Sequence, residues 1–107
     1  VLANRKPPYS IPGGLYDALL ETGGYMGYAT NQELERAKHL FETLEGIDID
    51  PAAGVAAASL IKNVKAGKID PDAVIMLNIT GGGEKLFKKE HAVKYMKPLE
   101  DLSLLSA

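Results

Sequence analysis

The feature that most constrains this chain is an apolar run that ends in a glycine-rich turn. Residues 73–79 read Ala-Val-Ile-Met-Leu-Asn-Ile, and residues 80–83 read Thr-Gly-Gly-Gly. A short apolar run bounded by turn signals predicts a fully buried strand of a parallel sheet. Because ligands of open α/β sheets bind beyond the carboxyl ends of such strands, Thr80 lies where a binding site is expected. The segments before and after it are then its scaffold.

Composition fits one modest globular domain and argues against several functions. The chain has 107 residues, of which 46% are hydrophobic and 24% charged, with a formal charge of −2. No basic stripe is present, so a nucleic-acid partner is not indicated. The absence of cysteine excludes disulfides and thiolate metal sites, and it fits a reducing compartment such as the cytoplasm. No apolar run reaches the roughly 18 residues that a membrane span needs.

Helical periodicity and capping signals predict several helices. Residues 15–21 show a short amphipathic pattern. Thr30 and Glu33 have the spacing of a capping box, and the amphipathic helix that follows them is expected to end at Gly46. A further helical or part-helical segment is predicted over residues 84–95.

A second long helix has an unusual composition. Asp50 is a suitable N-cap and Pro51 suits the first helical position. Residues 52–61 are small and apolar on every face, which predicts deep burial and close packing before the end at Gly67. Gly54 costs about 1 kcal/mol relative to alanine in a helix. We therefore expect a neighbouring strand or a ligand to approach closely at that residue.

Short strands are predicted over residues 25–29 and 73–79, with a short extended piece over residues 47–51 that leads into a helix start. Their alternation with helices predicts an α/β fold with a parallel sheet. Three such segments are too few to cover a buried helix and a buried parallel strand. The chain therefore reads as part of a larger α/β domain.

Three places in the chain are candidates for chemistry. The turn at residues 80–83 could cradle a phosphate through backbone amides, although it lacks the P-loop and G-x-G-x-x-G spacings and a plain strand-to-helix turn is equally consistent. Residues 50–54 are read first as a capped helix start. The proline-rich loop at residues 4–9 is read first as a surface linker and second as a pocket wall. His39 falls off the apolar stripe of its helix and is expected to face solvent.

Residues 46–58 followed by the 73–83 segment resemble the carboxyl-terminal part of fold-type II pyridoxal-phosphate enzymes, the relatives of threonine synthase and the tryptophan synthase β chain. The resemblance implies a partial three-layer parallel-sheet domain, with residues 1–107 forming the carboxyl-terminal segment of the large cofactor-binding domain. Pyridoxal 5'-phosphate is the implied cofactor.

Residues 4–10, 13–17 and 77–83 look like those of the cysteate synthases of methanogenic archaea. The implied reaction is β-replacement, in which O-phospho-L-serine and sulfite give L-cysteate and phosphate on the route to coenzyme M. The resemblance further implies a cytoplasmic homo-oligomer. Two alternatives stay open: a threonine synthase acting on O-phosphohomoserine, and a non-catalytic module that binds a phosphate-bearing ligand.

The resemblance also implies roles for individual residues. Thr80 matches the hydroxyl that hydrogen-bonds the pyridine nitrogen, and Gly81 and Gly82 let the chain pass close to the cofactor. Asp50 stands where relatives often have a glutamate near the ring. Three loop residues are expected on the substrate side: Asn4, Arg5 and Tyr9.

The resemblance implies that the Schiff-base lysine and the phosphate-binding loop lie in the amino-terminal half of such enzymes. No lysine of this chain has the family's lysine context, so we expect no catalytic residue here and an inactive isolated chain. The chain also begins at Val1 without an initiator methionine. We therefore expect a fragment whose partner is the amino-terminal part of the same enzyme.

Overall fold

The computed structural model describes residues 9–96, and its regular elements are helices. The four helices are α1 (Leu15–Thr22), α2 (Asn31–Glu45), α3 (Pro51–Lys65) and α4 (Glu84–Glu90). Within residues 9–96 the only β pairing is an isolated antiparallel bridge between Ile49 and Gly82. None of the helices in this range is long and apolar enough to cross a membrane.

Helix α2 forms where its capping residues predict it. The Thr30 N–H donates to Glu33 Oε2 at 2.7 Å, and the Glu33 N–H donates to Thr30 Oγ1 at 3.2 Å. These reciprocal hydrogen bonds satisfy two amides that have no partner inside the helix. Gly46 ends the helix with φ 73°, a left-handed conformation that glycine adopts without strain. Both predicted ends of the helix are confirmed.

Helices α2 and α3 pack against each other and form the core. A Cβ atom added to Gly54 would collide with Leu34 Cδ1 and would lie 2.6 Å from Lys38 Cγ. The predicted close approach at Gly54 is therefore present, but the neighbour is helix α2 rather than a strand or a ligand. The buried core side chains come from both helices and from the segment that precedes α3: Ala37, Ile49, Ala53, Ala57 and Ala58.

The strand predicted over residues 73–79 is not formed in this structure, since the segment has no regular secondary structure. Val74 is 102% exposed and Met76 93% exposed, whereas Leu77 and Ile79 pack against the core. A strand requires a neighbouring strand to pair its backbone groups, and residues 9–96 supply none. The predicted three-layer sheet is accordingly not present in the described part of the chain.

Three other features differ from the prediction. Residues 25–29 form no strand, and Tyr28 is 76% exposed. Helix α4 stops at Glu90 rather than near residue 95, because His91 has extended backbone angles (φ −128°, ψ 139°). Helix α3 ends at Lys65, two residues before Gly67.

Candidate functional site

Two segments that are distant in sequence run side by side at one end of the α2–α3 pair. The Asp50 N–H donates to the Gly81 carbonyl at 2.9 Å, and the Gly83 N–H donates to the Asp48 carbonyl at 2.8 Å. Between these hydrogen bonds lies the antiparallel bridge of Ile49 and Gly82. The structure thus brings the start of α3 and the glycine turn together, so Asp50, Gly81 and Gly82 are neighbours.

Two glycines of the turn lie close against other parts of the protein. A Cβ atom on Gly81 would collide with the Asp50 carboxylate. On Gly82 it would collide with the Asp48 carbonyl oxygen and lie 2.9 Å from Ile49 Cα. Residues 48–50 therefore approach both glycines closely.

Asp50 occupies the N-cap position of α3 without using its side chain as a cap. Its backbone is extended (φ −68°, ψ 158°), as an N-cap requires, yet the carboxylate accepts no hydrogen bond from the first turn of α3. The carboxylate lies instead in the space that a Cβ atom of Gly81 would occupy. It is an exposed negative charge beside the turn rather than a helix cap.

Thr80 is exposed at the edge of a groove of about 360 Å³. The groove walls are partly apolar, and they are formed by Phe41, Ile47, Asp48, Ile49, Ile79, Gly81 and Gly82. A hydroxyl next to an apolar wall can donate to the nitrogen of a flat aromatic ring whose face rests on that wall. Asp50 lies beside the turn but does not line this groove.

Charged side chains line a second cleft, of about 390 Å³, between α2 and the segments that flank the turn. Lys85 Nζ donates to both Glu42 oxygens at 2.6 and 2.7 Å, and this hydrogen bond raises the pKa of Lys85. The Lys85 backbone N–H donates to the Asp48 carboxylate at 3.2 Å. None of these three residues was predicted as a site residue, although the alternation of isoleucine and aspartate at residues 47–50 indicates that one face of that segment is polar.

The remaining predicted residues do not join the turn. Asn4 and Arg5 lie outside the described residues. Tyr9 is 44% exposed, and its carbonyl accepts the Tyr16 N–H at 3.0 Å, which ties it to α1. His39 is exposed, as predicted. Within residues 9–96, no group of three or more His, Asp or Glu side chains could hold a metal ion.

The chain matches no protein-family model. It is 55% identical over 98 residues to a cysteate synthase of Methanosarcina mazei and 53% identical over 98 residues to one of Methanosarcina acetivorans, with 92% of this chain covered in each case. A cysteate synthase of Methanosphaerula palustris is 53% identical over 94 residues, or 87% of this chain. The chain spans about a quarter of the length of these curated relatives, since the matches cover 24%, 24% and 22% of them. Over the length that it spans, the chain therefore belongs to the cysteate synthase family.

Proposed function

We propose that this chain is part of a pyridoxal-phosphate-dependent cysteate synthase that makes L-cysteate and phosphate from O-phospho-L-serine and sulfite. The observation that carries the proposal is the 55% identity over 98 residues to a protein of that name. This identity supports cysteate synthase over both alternatives, a threonine synthase and a non-catalytic phosphate-binding module. No lysine of this chain has the expected Schiff-base context, so we assign that lysine to the rest of the enzyme. A cytoplasmic location and a homo-oligomeric state remain predictions.

The residues present at the turn fit one edge of the cofactor. When bound, pyridoxal phosphate supplies an electron sink for negative charge at the substrate α-carbon. Thr80 would donate a hydrogen bond to the ring nitrogen from the groove edge, a role compatible with its exposure. As a neutral donor, a threonine hydroxyl does not hold a proton on that nitrogen as a carboxylate would.

Gly81, Gly82 and Asp50 would act around Thr80 rather than on the reaction itself. The two glycines let the turn close onto residues 48–50, which places Thr80 at the groove. The Asp50 carboxylate, held over Gly81, would add negative charge near the ring edge. Asn4, Arg5 and Tyr9 remain predicted substrate-side residues.

We also propose that residues 73–79 form a strand of a parallel sheet in the whole enzyme. Supporting this is the exposure of Val74 and Met76, which leaves an apolar run uncovered. Strands that are buried on both faces of a parallel sheet show such continuous apolar runs. The other strands would come from the rest of the polypeptide, as in a fold-type II enzyme.

The function is tested on the full-length protein that contains this chain, saturated with pyridoxal phosphate. We expect phosphate release from O-phospho-L-serine to require sulfite, and cysteate to appear in equal amount. Thr80→Val, which removes only the hydroxyl, should lower kcat by about tenfold to a hundredfold, and Thr80→Ser should restore most of it. Phosphate release from O-phosphohomoserine and water without sulfite would identify a threonine synthase instead. Tight binding of a phosphorylated ligand with no turnover would favour a binding module.

A further inference from the structure

We infer that Asp48 is a positioning residue that fixes the 80–83 turn against the start of α3 and thereby sets the place of Thr80. The expected effect of Asp48 on cofactor binding rests on the proposed function. Helix α4 has an unusual amino terminus. The helix begins after Gly83, which has a positive φ of 79° and no side chain with which to cap the helix. The first amides of a helix have no partner inside it, so another group must accept their hydrogen bonds.

Asp48 supplies that acceptor from a distant part of the sequence. Its two carboxylate oxygens lie 3.2 and 3.3 Å from the Lys85 backbone nitrogen, across a separation of 37 residues. An aspartate that accepts from the second amide of a helix does what an N-cap side chain does. Its negative charge at the amino terminus of α4 is also favourable toward the helix dipole.

The backbone of Asp48 holds the other side of the same turn. Its carbonyl accepts the Gly83 N–H at 2.8 Å, and that oxygen occupies the space where a Cβ atom of Gly82 would lie. One residue therefore contacts positions 82, 83 and 85 through two different groups. The turn has little room to shift toward the 47–50 segment, and the two hydrogen bonds oppose a shift away from it.

The neighbouring ion pair does not replace this contact. Lys85 Nζ pairs with Glu42 on α2 at 2.6 Å, but the Lys85 side chain is 69% exposed. Exposed ion pairs contribute little because water screens them and two long side chains must be ordered. The pair steers the lysine side chain, whereas Asp48 holds the backbone that leads back to Thr80.

The test compares Asp48→Ala, Asp48→Asn and a matched control in the full-length protein. Asp70→Ala is the control because Asp70 also accepts a backbone hydrogen bond, from the Asp72 N–H at 2.9 Å, in an exposed turn elsewhere. Hydrogen–deuterium exchange measured by mass spectrometry on the peptide over residues 80–90 reports the turn and α4 directly. Pyridoxal phosphate is then titrated into each apoprotein, and binding is followed by cofactor absorbance.

For Asp48→Ala we expect exchange in this peptide to rise about fivefold and the Kd for pyridoxal phosphate to rise by a similar factor, the effect of losing a helix cap. Asp48→Asn keeps an acceptor oxygen, so its exchange rate and its Kd should both return most of the way to the wild-type values. A general loss of stability would not predict this recovery. Asp70→Ala should change neither quantity. Equal exchange in Asp48→Ala and Asp70→Ala would overturn the inference, as would faster exchange with an unchanged Kd. If the wild-type protein bound no pyridoxal phosphate, the proposed function would fail, and the exchange result would still decide whether Asp48 holds the turn.

Discussion

At the level of single residues, a side chain added at Gly81 would meet different atoms from one added at Gly82. The obstacle to a side chain at Gly81 is the Asp50 carboxylate, which is the mobile end of a side chain. The obstacle at Gly82 is the backbone of Asp48 and Ile49, which cannot move aside without breaking the bridge between the two segments. Two adjacent glycines therefore differ in how well the structure can accommodate a side chain.

Alanine substitutions should separate these two glycines. We expect Gly82→Ala to lower the free energy of unfolding by about 2 kcal/mol, because the added methyl group overpacks against backbone atoms. Gly81→Ala should cost less than about 1 kcal/mol, since the Asp50 side chain can rotate away. Urea unfolding of the purified protein measures both values. Equal losses would mean that the turn is not packed on residues 48–50 as described.

At the level of the helices, capping and close packing act at different places on α2 and α3. The amino terminus of α2 is closed by the Thr30–Glu33 capping box. Further along, helix α3 brings Gly54 against the Leu34 and Lys38 side chains of α2. The capping box stabilises α2 locally, whereas the glycine sets how closely α2 and α3 approach each other.

The capping box makes part of the stability depend on pH. Hydrogen bonds from Thr30, the backbone one first, lower the pKa of Glu33. A lowered pKa in the folded state means that the ionised carboxylate stabilises the fold above the ordinary glutamate pKa. That contribution is lost as the pH falls through the lowered value. We expect Glu33→Gln to be less stable than wild type near neutral pH, with the difference shrinking below about pH 4.

Thermal unfolding across this pH range measures the difference. Glu35→Gln is the matched control, because Glu35 lies on the same helix and makes only a long ion pair of 3.6 Å with Lys38. A difference between Glu33→Gln and wild type that did not change with pH would contradict the assigned role of the carboxylate.

The contact at Gly54 predicts a large effect of a bulky residue. Gly54→Val places a branched side chain where even a single Cβ atom meets Leu34 and Lys38. We expect it to lower the free energy of unfolding by about 2–3 kcal/mol more than Ala52→Val, an exposed position of the same helix. Chemical denaturation monitored by circular dichroism compares the two variants. Equal losses would show that α2 and α3 are farther apart than described.

At the level of the whole molecule, the core of the described chain is small and its apolar surface is large. Five residues form the buried hydrophobic core, four of which are alanines. Large apolar side chains such as Val74, Met76 and Leu44 are exposed. Exposed large apolar side chains in such number are unusual for a complete globular domain and leave places where further protein can pack. This agrees with a chain that spans a quarter of the length of its relatives.

The proposed burial of the 73–79 segment can be checked with single cysteines, because this chain contains none. We expect Val74→Cys and Met76→Cys to react with a thiol reagent at least about tenfold more slowly in the full-length protein than in the isolated chain. Mass spectrometry of the modified peptides gives the rates. Glu35→Cys, on an exposed part of α2, should react equally in both. Equal rates at position 74 in the two proteins would contradict the proposed strand.

Sequence patterns were sufficient for features that depend on near neighbours in the chain. The ends of α2 followed from Thr30, Glu33 and Gly46, since a capping hydrogen bond joins residues only a few positions apart. The start of α3 at Pro51 followed in the same way. The family was also recognised without coordinates, from the resemblance of residues 4–10, 13–17 and 77–83 to cysteate synthases.

Patterns were insufficient wherever the partner was distant in the chain. The apolar run at residues 73–79 predicts a strand, but pairing depends on neighbours that residues 9–96 do not provide. The neighbour of Gly54 proved to be α2, and the backbone partner of the Asp48 carboxylate is Lys85, 37 residues away. Such contacts exist only after the chain has folded back on itself, because no local hydrogen bond or periodicity encodes which distant segments meet. The residues near each end therefore determined both ends of α2 and the start of α3, whereas only the tertiary structure decided which residues contact Gly54, Gly82 and Asp48.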